Sequence, residues 1–236
     1  MNILLVNDDG YKSEGILMLQ ELLSKYGRVV IVAPDSPRSA SSASLSLGKP
    51  IQLVKVSDAV FKCSGTPVDC VSLALCSLNI DFDLVVSGCN HGLNISYDTM
   101  YSGTIGICLE ALMFFKPAIA FSAEMKDYHL VKENFDKVWS FIFDNNFISN
   151  KYLLNVNFPH DEVKGISLGN LYYRHDQNYF VDEGDGLYAY RHTQTNFDDD
   201  KDSDCYQVEH GIISIVPLSR TYFDPAIKAE LDKKIK

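Results

Sequence analysis

Along the first 160 residues, short runs of consecutive apolar residues, each closed by a polar cluster, alternate with segments whose apolar residues recur at helical spacing. The first run, Ile3-Leu4-Leu5-Val6, stops at Asn7-Asp8-Asp9-Gly10. Four apolar residues without alternation predict a central parallel strand covered on both faces. Gly15–Leu23 has helical spacing and ends near Gly27. The β-branched run Val29–Ala33, closed by Pro34-Asp35, predicts a second buried strand. Ile51–Val56 and Ala59–Cys63 read as a strand pair turned at Ser57-Asp58, and Thr66 before Pro67 as the N-cap of a helix to about Leu78. A third buried strand, Asp83–Gly88, ends in Cys89-Asn90-His91-Gly92-Leu93-Asn94. Tyr101-Ser102-Gly103-Thr104 starts a helix through about Phe115. Then come a strand at Pro117–Ser122, an amphipathic helix at Leu130–Phe143 holding the only tryptophan, Trp139, and a strand at Tyr152–Phe158.

From Pro159 the alternation gives way to strand-like pieces around Gly165–Tyr173 and Gly186–Thr193, an acidic run at Asp198–Asp202, a strand at Ile212–Val216 and a lysine-rich helix at Pro225–Lys234. The acidic run lacks the glycine and terminal glutamate of a calcium loop and reads as solvated. The fold expected is α/β: a Rossmann-like three-layer core with a mostly parallel sheet over residues 1–159, and a β-rich extension over residues 160–236. Lone hairpins are marginal in water, so the extension is expected to contact a second subunit.

Composition narrows the partners. With 46% hydrophobic and 22% charged residues this is an ordinary globular chain, and its formal charge of −10 disfavours nucleic-acid polymers and anionic membranes. An anionic substrate would need a local cation. No signal segment or long apolar stretch is seen, so a cytoplasmic location is expected. Six cysteines without a C-x-x-C pair, mostly in apolar surroundings, read as reduced buried thiols.

Three strand ends carry candidate chemistry: Asp8 and Asp9, Ser39, and Asn90 with Asn94. Adjacent carboxylates in a confined site repel and call for a cation. Two carboxylates, a hydroxyl and an amide oxygen are hard donors that select Mg²⁺ or Mn²⁺, with Ca²⁺ also accommodated. Ser102-Gly103-Thr104 at a helix start offers an anion site. Together they point to phosphate-ester hydrolysis by a metal-activated water, with Asp8 or Asp9 as base. Each residue also has a plainer reading: Asp8-Asp9-Gly10 as a turn, Asn90 and Asn94 as caps, and the serine-rich Ser36–Ser46 as a flexible linker. His91 is placed to act as a general acid, although a lone loop histidine is more often only exposed. His129, His160, His175, His192 and His210 show no metal-binding spacing.

The segments I-L-L-V-N-D-D-G, A-P-D with Ser39 four residues beyond Asp35, G-T-P-x-D-C-V at Gly65–Val71 and V-V-S-G-x-N-x-G-x-N at Val85–Asn94 together resemble the SurE survival-protein family. Y-S-G-T at Tyr101–Thr104, P-A-I-A-x-S at Pro117–Ser122, L-N-V-N at Leu154–Asn157 and G-x-x-S-I-x-P-L at Gly211–Leu218 extend the resemblance over nearly the full chain. It implies a divalent-metal-dependent 5'-nucleotidase acting on nucleoside monophosphates, with 3'-nucleotidase and exopolyphosphatase activity in some members. It also implies one metal ion per subunit and a C-terminal segment exchanged between subunits of a dimer or tetramer. Carried over by position, Asp8, Asp9, Ser39 and Asn90 are the metal ligands, Asp8, Asp9 and Asn90 the catalytic set, and Asn94, Ser102, Gly103 and Thr104 the phosphate pocket. Ala43 with its serine-rich loop, and Cys89 and His91 around Asn90, depart from the family pattern. Two other Mg²⁺-dependent designs fit less well. A phospho-receiver module needs an aspartate where this chain has Ser87-Gly88, and an aspartyl-phosphate enzyme needs acids spaced by one residue, whereas Asp8 and Asp9 are adjacent.

Overall fold

The computed structural model of the chain describes residues 1–124, 128–172, 177–193, 200–220 and 225–234. Ile3, Leu4, Leu5 and Val6 are wholly buried, as an unalternating apolar run requires. In chain order the elements are β1 (Asn2–Val6), α1 (Glu14–Leu23), β2 (Arg28–Pro34), β3 (Leu53–Ser57), β4 (Val60–Cys63), α2 (Pro67–Ser77) and β5 (Leu84–His91). A 3-10 turn (Ser96–Met100), α3 (Gly103–Met113), β6 (Ala118–Ala123), α4 (His129–Asp144) and β7 (Tyr152–Phe158) follow. The remainder comprises β8 (Gly165–Leu168), β9 (Gln177–Gly184), β10 (Leu187–Thr193), α5 (Asp204–Glu209), β11 (Ile212–Ser219) and α6 (Pro225–Asp232). Of the positions named above, Tyr173, His175, Asp198 and Asp199 lie outside the described residues. No helix among the described residues is long and apolar enough to cross a membrane.

Nine strands form one sheet in the order β3-β4-β2-β1-β5-β6-β7-β11-β8. The run from β4 to β7 is parallel. β3 and β11 join it antiparallel, and β8 lies parallel to β11. The extension beyond residue 159 thus gives two strands to the core sheet, while β9 and β10 form a separate hairpin. Successive residues of β1 feed opposite layers. Ile3 and Leu5 pack with α1 and α4, and Leu4 and Val6 pack with α2 and α3. Because the chain leaves β1 toward β2 on one side and later places β5 on the other, the sheet order reverses at β1. In open α/β sheets ligands bind beyond the carboxyl ends of the strands at such a switch point.

Several elements differ from their expected bounds for physical reasons. β5 runs through Cys89-Asn90-His91 instead of ending at Gly88. Its pairing with β6 breaks after Ser87 and resumes at Asn90 opposite Ser122. Gly88 makes this irregularity possible: its φ is +116°, and a Cβ there would stand 2.3 Å from the Phe121 carbonyl oxygen. Neither β9 nor α5 was expected. β9 carries three consecutive apolar residues, Tyr179-Phe180-Val181, between polar and acidic flanks without alternation, and α5, at six residues, is too short to present a helical period. The N-cap at Thr66 forms as expected. Its hydroxyl accepts the Asp69 N–H at 3.1 Å and the Asp69 carboxylate accepts the Thr66 N–H at 2.7 Å.

Candidate active site

The end of β1 is shaped by a residue that sequence reasoning passed over. Asn7 is fully buried. Its amide nitrogen donates to the Gly10 carbonyl at 3.2 Å and to the Ser13 hydroxyl at 2.7 Å, and its oxygen accepts the Gly10 N–H at 3.1 Å. This folds Asp8-Asp9 into a tight turn and ties it to the start of α1. Asp8 points inward, 5% exposed, and accepts the Thr104 hydroxyl at 2.8 Å. Burial pushes its carboxyl up to about 6, against the Thr104 hydrogen bond and with the Asp9 charge adding to the rise. Asp9 is half-buried; burial raises its carboxyl too, opposed by the His91 N–H that it accepts.

The serine-rich segment is anchored at several points and so is not a free linker. The Arg38 N–H donates to the Asp8 carbonyl at 2.7 Å, which brings Ser39 beside the acids. The Thr66 hydroxyl donates to Ser44 O at 2.7 Å, and the Asp69 carboxylate accepts the Ser46 N–H at 3.1 Å. Ser42 donates its hydroxyl to Met100 O at 2.8 Å and its N–H to Tyr101 O at 3.1 Å. The capping box of α2 and the turn before α3 therefore hold the loop from both sides.

From β5, Asn90 donates its amide nitrogen to Gly92 O at 2.8 Å, which fixes the orientation of its side chain and leaves its oxygen as an acceptor. Asn94 is held from β7 and β6. Its N–H donates to Asn157 Oδ1 at 2.8 Å, and its carbonyl accepts Asn155 Nδ2 at 2.7 Å and Asn157 Nδ2 at 3.0 Å. Its own Nδ2 donates to the Ser122 hydroxyl at 2.8 Å. Asn155 and Asn157 are wholly buried. Their signal was present in L-N-V-N, where two amides two residues apart share one face of an otherwise apolar strand. Buried amides on a strand face need partners.

At the start of α3 the Ser102 hydroxyl caps the helix by accepting the Ile105 N–H at 3.1 Å. The N–H groups of Gly103 and Thr104 have no intrahelical acceptor and carry the positive end of the helix dipole. Thr104 is wholly buried and its hydroxyl serves Asp8, so its backbone alone is left for an anion. Gly103 lies hard against the acids: a Cβ there would stand 2.7 Å from Ser41 Oγ and 2.8 Å from Asp8 Oδ2. The elements close around a cleft of about 280 Å³ lined by Asp8, Asp9, Ser39, Asn90, Asn94 and Ser102, together with Ala40, His91, Asp98 and Tyr101. His91 is exposed and meets the Tyr128 ring edge-on at 6.5 Å. Cys89 faces the core and burial raises its thiol, so it takes no part.

The cleft carries three carboxylates and no lysine or arginine. Nearby Arg38 is engaged with Asp35 at 3.7 Å and with Ser64 O at 3.3 Å. Among the described residues no group of three or more His, Cys, Asp or Glu side chains could hold a metal, so a cation must use a mixed donor set. Asp8, Asp9, the Ser39 hydroxyl and the Asn90 oxygen supply one, all hard donors suited to Mg²⁺ or Mn²⁺. Ser41 Oγ, buried without a partner among the described residues, stands over Gly103 beside Asp8 Oδ2. These residues fit a hard divalent ion.

Residues 3–178 match the family described as Survival protein SurE. A protein named 5'-nucleotidase SurE from Clostridium botulinum (strain 657 / Type Ba4) is 37% identical over 235 residues, covering 92% of each chain. A protein of the same name from Histophilus somni (strain 2336) is 34% identical over 231 residues, again covering 92% of each. The crystal structure of the SurE protein from Aquifex aeolicus aligns over 100% of both chains with a TM-score of 0.85 and 31% identity. With its motifs on the strand ends that frame this cleft, the chain belongs to the SurE survival-protein family.

Proposed function

We propose that the chain is a metal-dependent phosphomonoesterase that removes phosphate from nucleoside monophosphates, a 5'-nucleotidase like the relatives so named. The observation that carries this reading is the charge of the cleft, which has three carboxylates, no lysine or arginine and a helix amino terminus at its wall. A phosphate dianion entering alone would be repelled. Asp8, Asp9, Ser39 and Asn90 would hold one divalent ion per subunit, Mg²⁺ or Mn²⁺. When bound, that ion supplies charge neutralisation of the phosphoryl group and acidification of water. The N–H groups of Gly103 and Thr104, the Ser102 hydroxyl and the second hydrogen of Asn94 Nδ2 would orient the phosphoryl oxygens. Asp8 or Asp9 would take the proton of the attacking water, and exposed His91 at the rim would be the group to give one to the leaving oxygen. Because these contacts read only a phosphoryl group, a terminal phosphate of polyphosphate or a 3'-phosphate fits the same pocket.

The exposed hairpin supports an oligomer. Tyr179, Phe180, Val181, Leu187, Tyr188 and Tyr190 are all at least 39% exposed on two strands that, among the described residues, pair only with each other. We assign this hairpin to contacts in a homodimer or homotetramer. A phospho-receiver role is not favoured, because the end of β5, Ser87-Gly88-Cys89-Asn90, holds no aspartate to accept a phosphoryl group.

Phosphate release from nucleoside monophosphates, polyphosphate and an aryl phosphate, measured with Mg²⁺, Mn²⁺ or EDTA, tests the reading. Metal-dependent release abolished by EDTA is expected. No release with either metal would overturn it.

A further inference from the structure

Asp204, the first residue of α5, is wholly buried, and its carboxylate accepts three backbone N–H groups as well as a side-chain hydrogen bond from Cys205. Oδ2 accepts the N–H of Ser96 at 2.8 Å, and Oδ1 accepts those of Tyr172 at 3.1 Å and Cys205 at 2.9 Å. Ser96 opens the 3-10 turn that leads from Asn94 to α3; it is 1% exposed with a φ of +52°. Its carbonyl accepts the Thr99 hydroxyl at 2.7 Å, which carries the constraint through the turn. That turn delivers Asp98, Tyr101 and Ser102 to the cleft. Around it Cys205 and Val208 of α5 pack on Ile95, with Leu93 and Tyr172 at the margin. A buried carboxylate is costly unless fully hydrogen-bonded, and an apolar residue could fill the same space without that cost. What the carboxylate adds is a charge-assisted bond that fixes one main-chain N–H of the site loop.

We propose that Asp204 is a positioning residue for the phosphate pocket: from outside the α/β core it pins Ser96 and so sets where Asp98, Tyr101 and Ser102 stand. The C-terminal extension is then part of the active site's construction as well as of any assembly. This role rests on the nucleotidase reading for its catalytic consequence, but not for its structural one.

Asp204→Asn is nearly isosteric. It keeps an oxygen for Tyr172 and Cys205 and turns an amide nitrogen toward the Ser96 N–H, donor against donor. Hydrogen–deuterium exchange on the intact protein reads the structural consequence without substrate. In wild type the Ser96 amide is expected to be protected like the core. In the variant, exchange across residues 95–102 is expected to rise by about tenfold or more, with β1 and β7 unchanged. With Mg²⁺ and a nucleoside monophosphate, KM is expected to rise about tenfold, equivalent to about 1.4 kcal/mol, while kcat and the half-saturating Mg²⁺ concentration stay within about twofold. A Ser96 amide that exchanges like an exposed loop in wild type would overturn the proposal even if the variant did not fold. So would unchanged exchange over 95–102 in the variant, or a loss of kcat that only tracks faster exchange everywhere. Absence of hydrolysis by wild type would remove the nucleotidase reading alone, since the exchange measurement still decides the role of Asp204.

Discussion

Asp8 offers a test in which stability and activity move in opposite directions. Burial pushes its carboxyl from 3.8 up to about 6. An acid whose folded pKa is raised holds its proton more tightly when folded, so the fold loses stability as pH climbs from about 4 to about 6, and the full cost remains above that range. At about 1.4 kcal/mol per pH unit, the ionised side chain costs the metal-free protein about 3 kcal/mol at pH 7.5 and only about 0.6 kcal/mol at pH 4. Asp8→Asn removes the ionisation and keeps an oxygen to accept the Thr104 hydroxyl. In EDTA at pH 7.5 the variant is therefore expected to be the more stable protein by up to about 3 kcal/mol, a rise in Tm of about 6–12 °C for a domain of this size. At pH 4 the two melting curves should nearly coincide. Saturating Mg²⁺ should reverse the order at pH 7.5, because wild type gains binding energy that the variant, lacking one ligand charge, does not. Turnover of the variant should fall by orders of magnitude throughout. Thermal denaturation by circular dichroism at both pH values, with and without Mg²⁺, measures all four arms. A metal-free variant no more stable than wild type at pH 7.5, or an advantage of equal size at pH 4, would refute the account of Asp8.

Gly103→Ala would press a methyl group against Asp8 and Ser41. A stability loss of about 1–3 kcal/mol is expected together with a weakened response to Mg²⁺, read by melting curves across a metal titration. A melting curve and metal response equal to wild type would show that the α3 start has room to move. Asn157→Ala strands the buried Asn94 N–H, with an expected cost of about 1–3 kcal/mol in urea denaturation and a raised KM for nucleotide; an unchanged midpoint would deny the clamp. Phe180→Asp with Tyr190→Asp should shift sedimentation toward a lighter species if the hairpin lies between subunits, and an unaltered sedimentation coefficient would place the interface elsewhere.

Most of the sheet was legible because a buried strand announces itself locally, as at Ile3–Val6 and Val29–Ala33, and so does the stop at its end. The acids at that stop were legible for the same reason. What the residues around them do depends on partners far away in the chain. Thr104 serves Asp8 across 96 residues, Asn157 holds Asn94 across 63, and Asp204 holds Ser96 across 108. No local pattern encodes such pairings: the sequence puts Thr104 at the start of a helix, an anion site, and the bond from its hydroxyl to Asp8 is visible only in the structure. In the Ser36–Ser46 loop composition and position point in different directions. Its composition describes a linker, but several of its anchors are backbone groups at Arg38, Ser42, Ser44 and Ser46 that other residue types could equally supply.

The chemistry of the anchoring residues follows from what the cleft must do. A site that concentrates a cation needs its carboxylates ionised although they are buried, and burial already raises Asp8. Any further negative charge used as scaffolding near Asp8 and Asp9 would raise them more, and a lysine or arginine placed there would compete with the cation. Neutral amides avoid both effects. Asn7, Asn155 and Asn157 fix the loops after β1 and β5 through main-chain hydrogen bonds and add no charge to the field. Where a carboxylate is used for the same purpose, at Asp204, both oxygens turn to backbone N–H groups behind Ser96, and Asp204 is not among the residues lining the cleft. With the proposed ligands charged and their supports neutral or averted, Asp8 and Asp9 would face an incoming cation from loops that are already fixed.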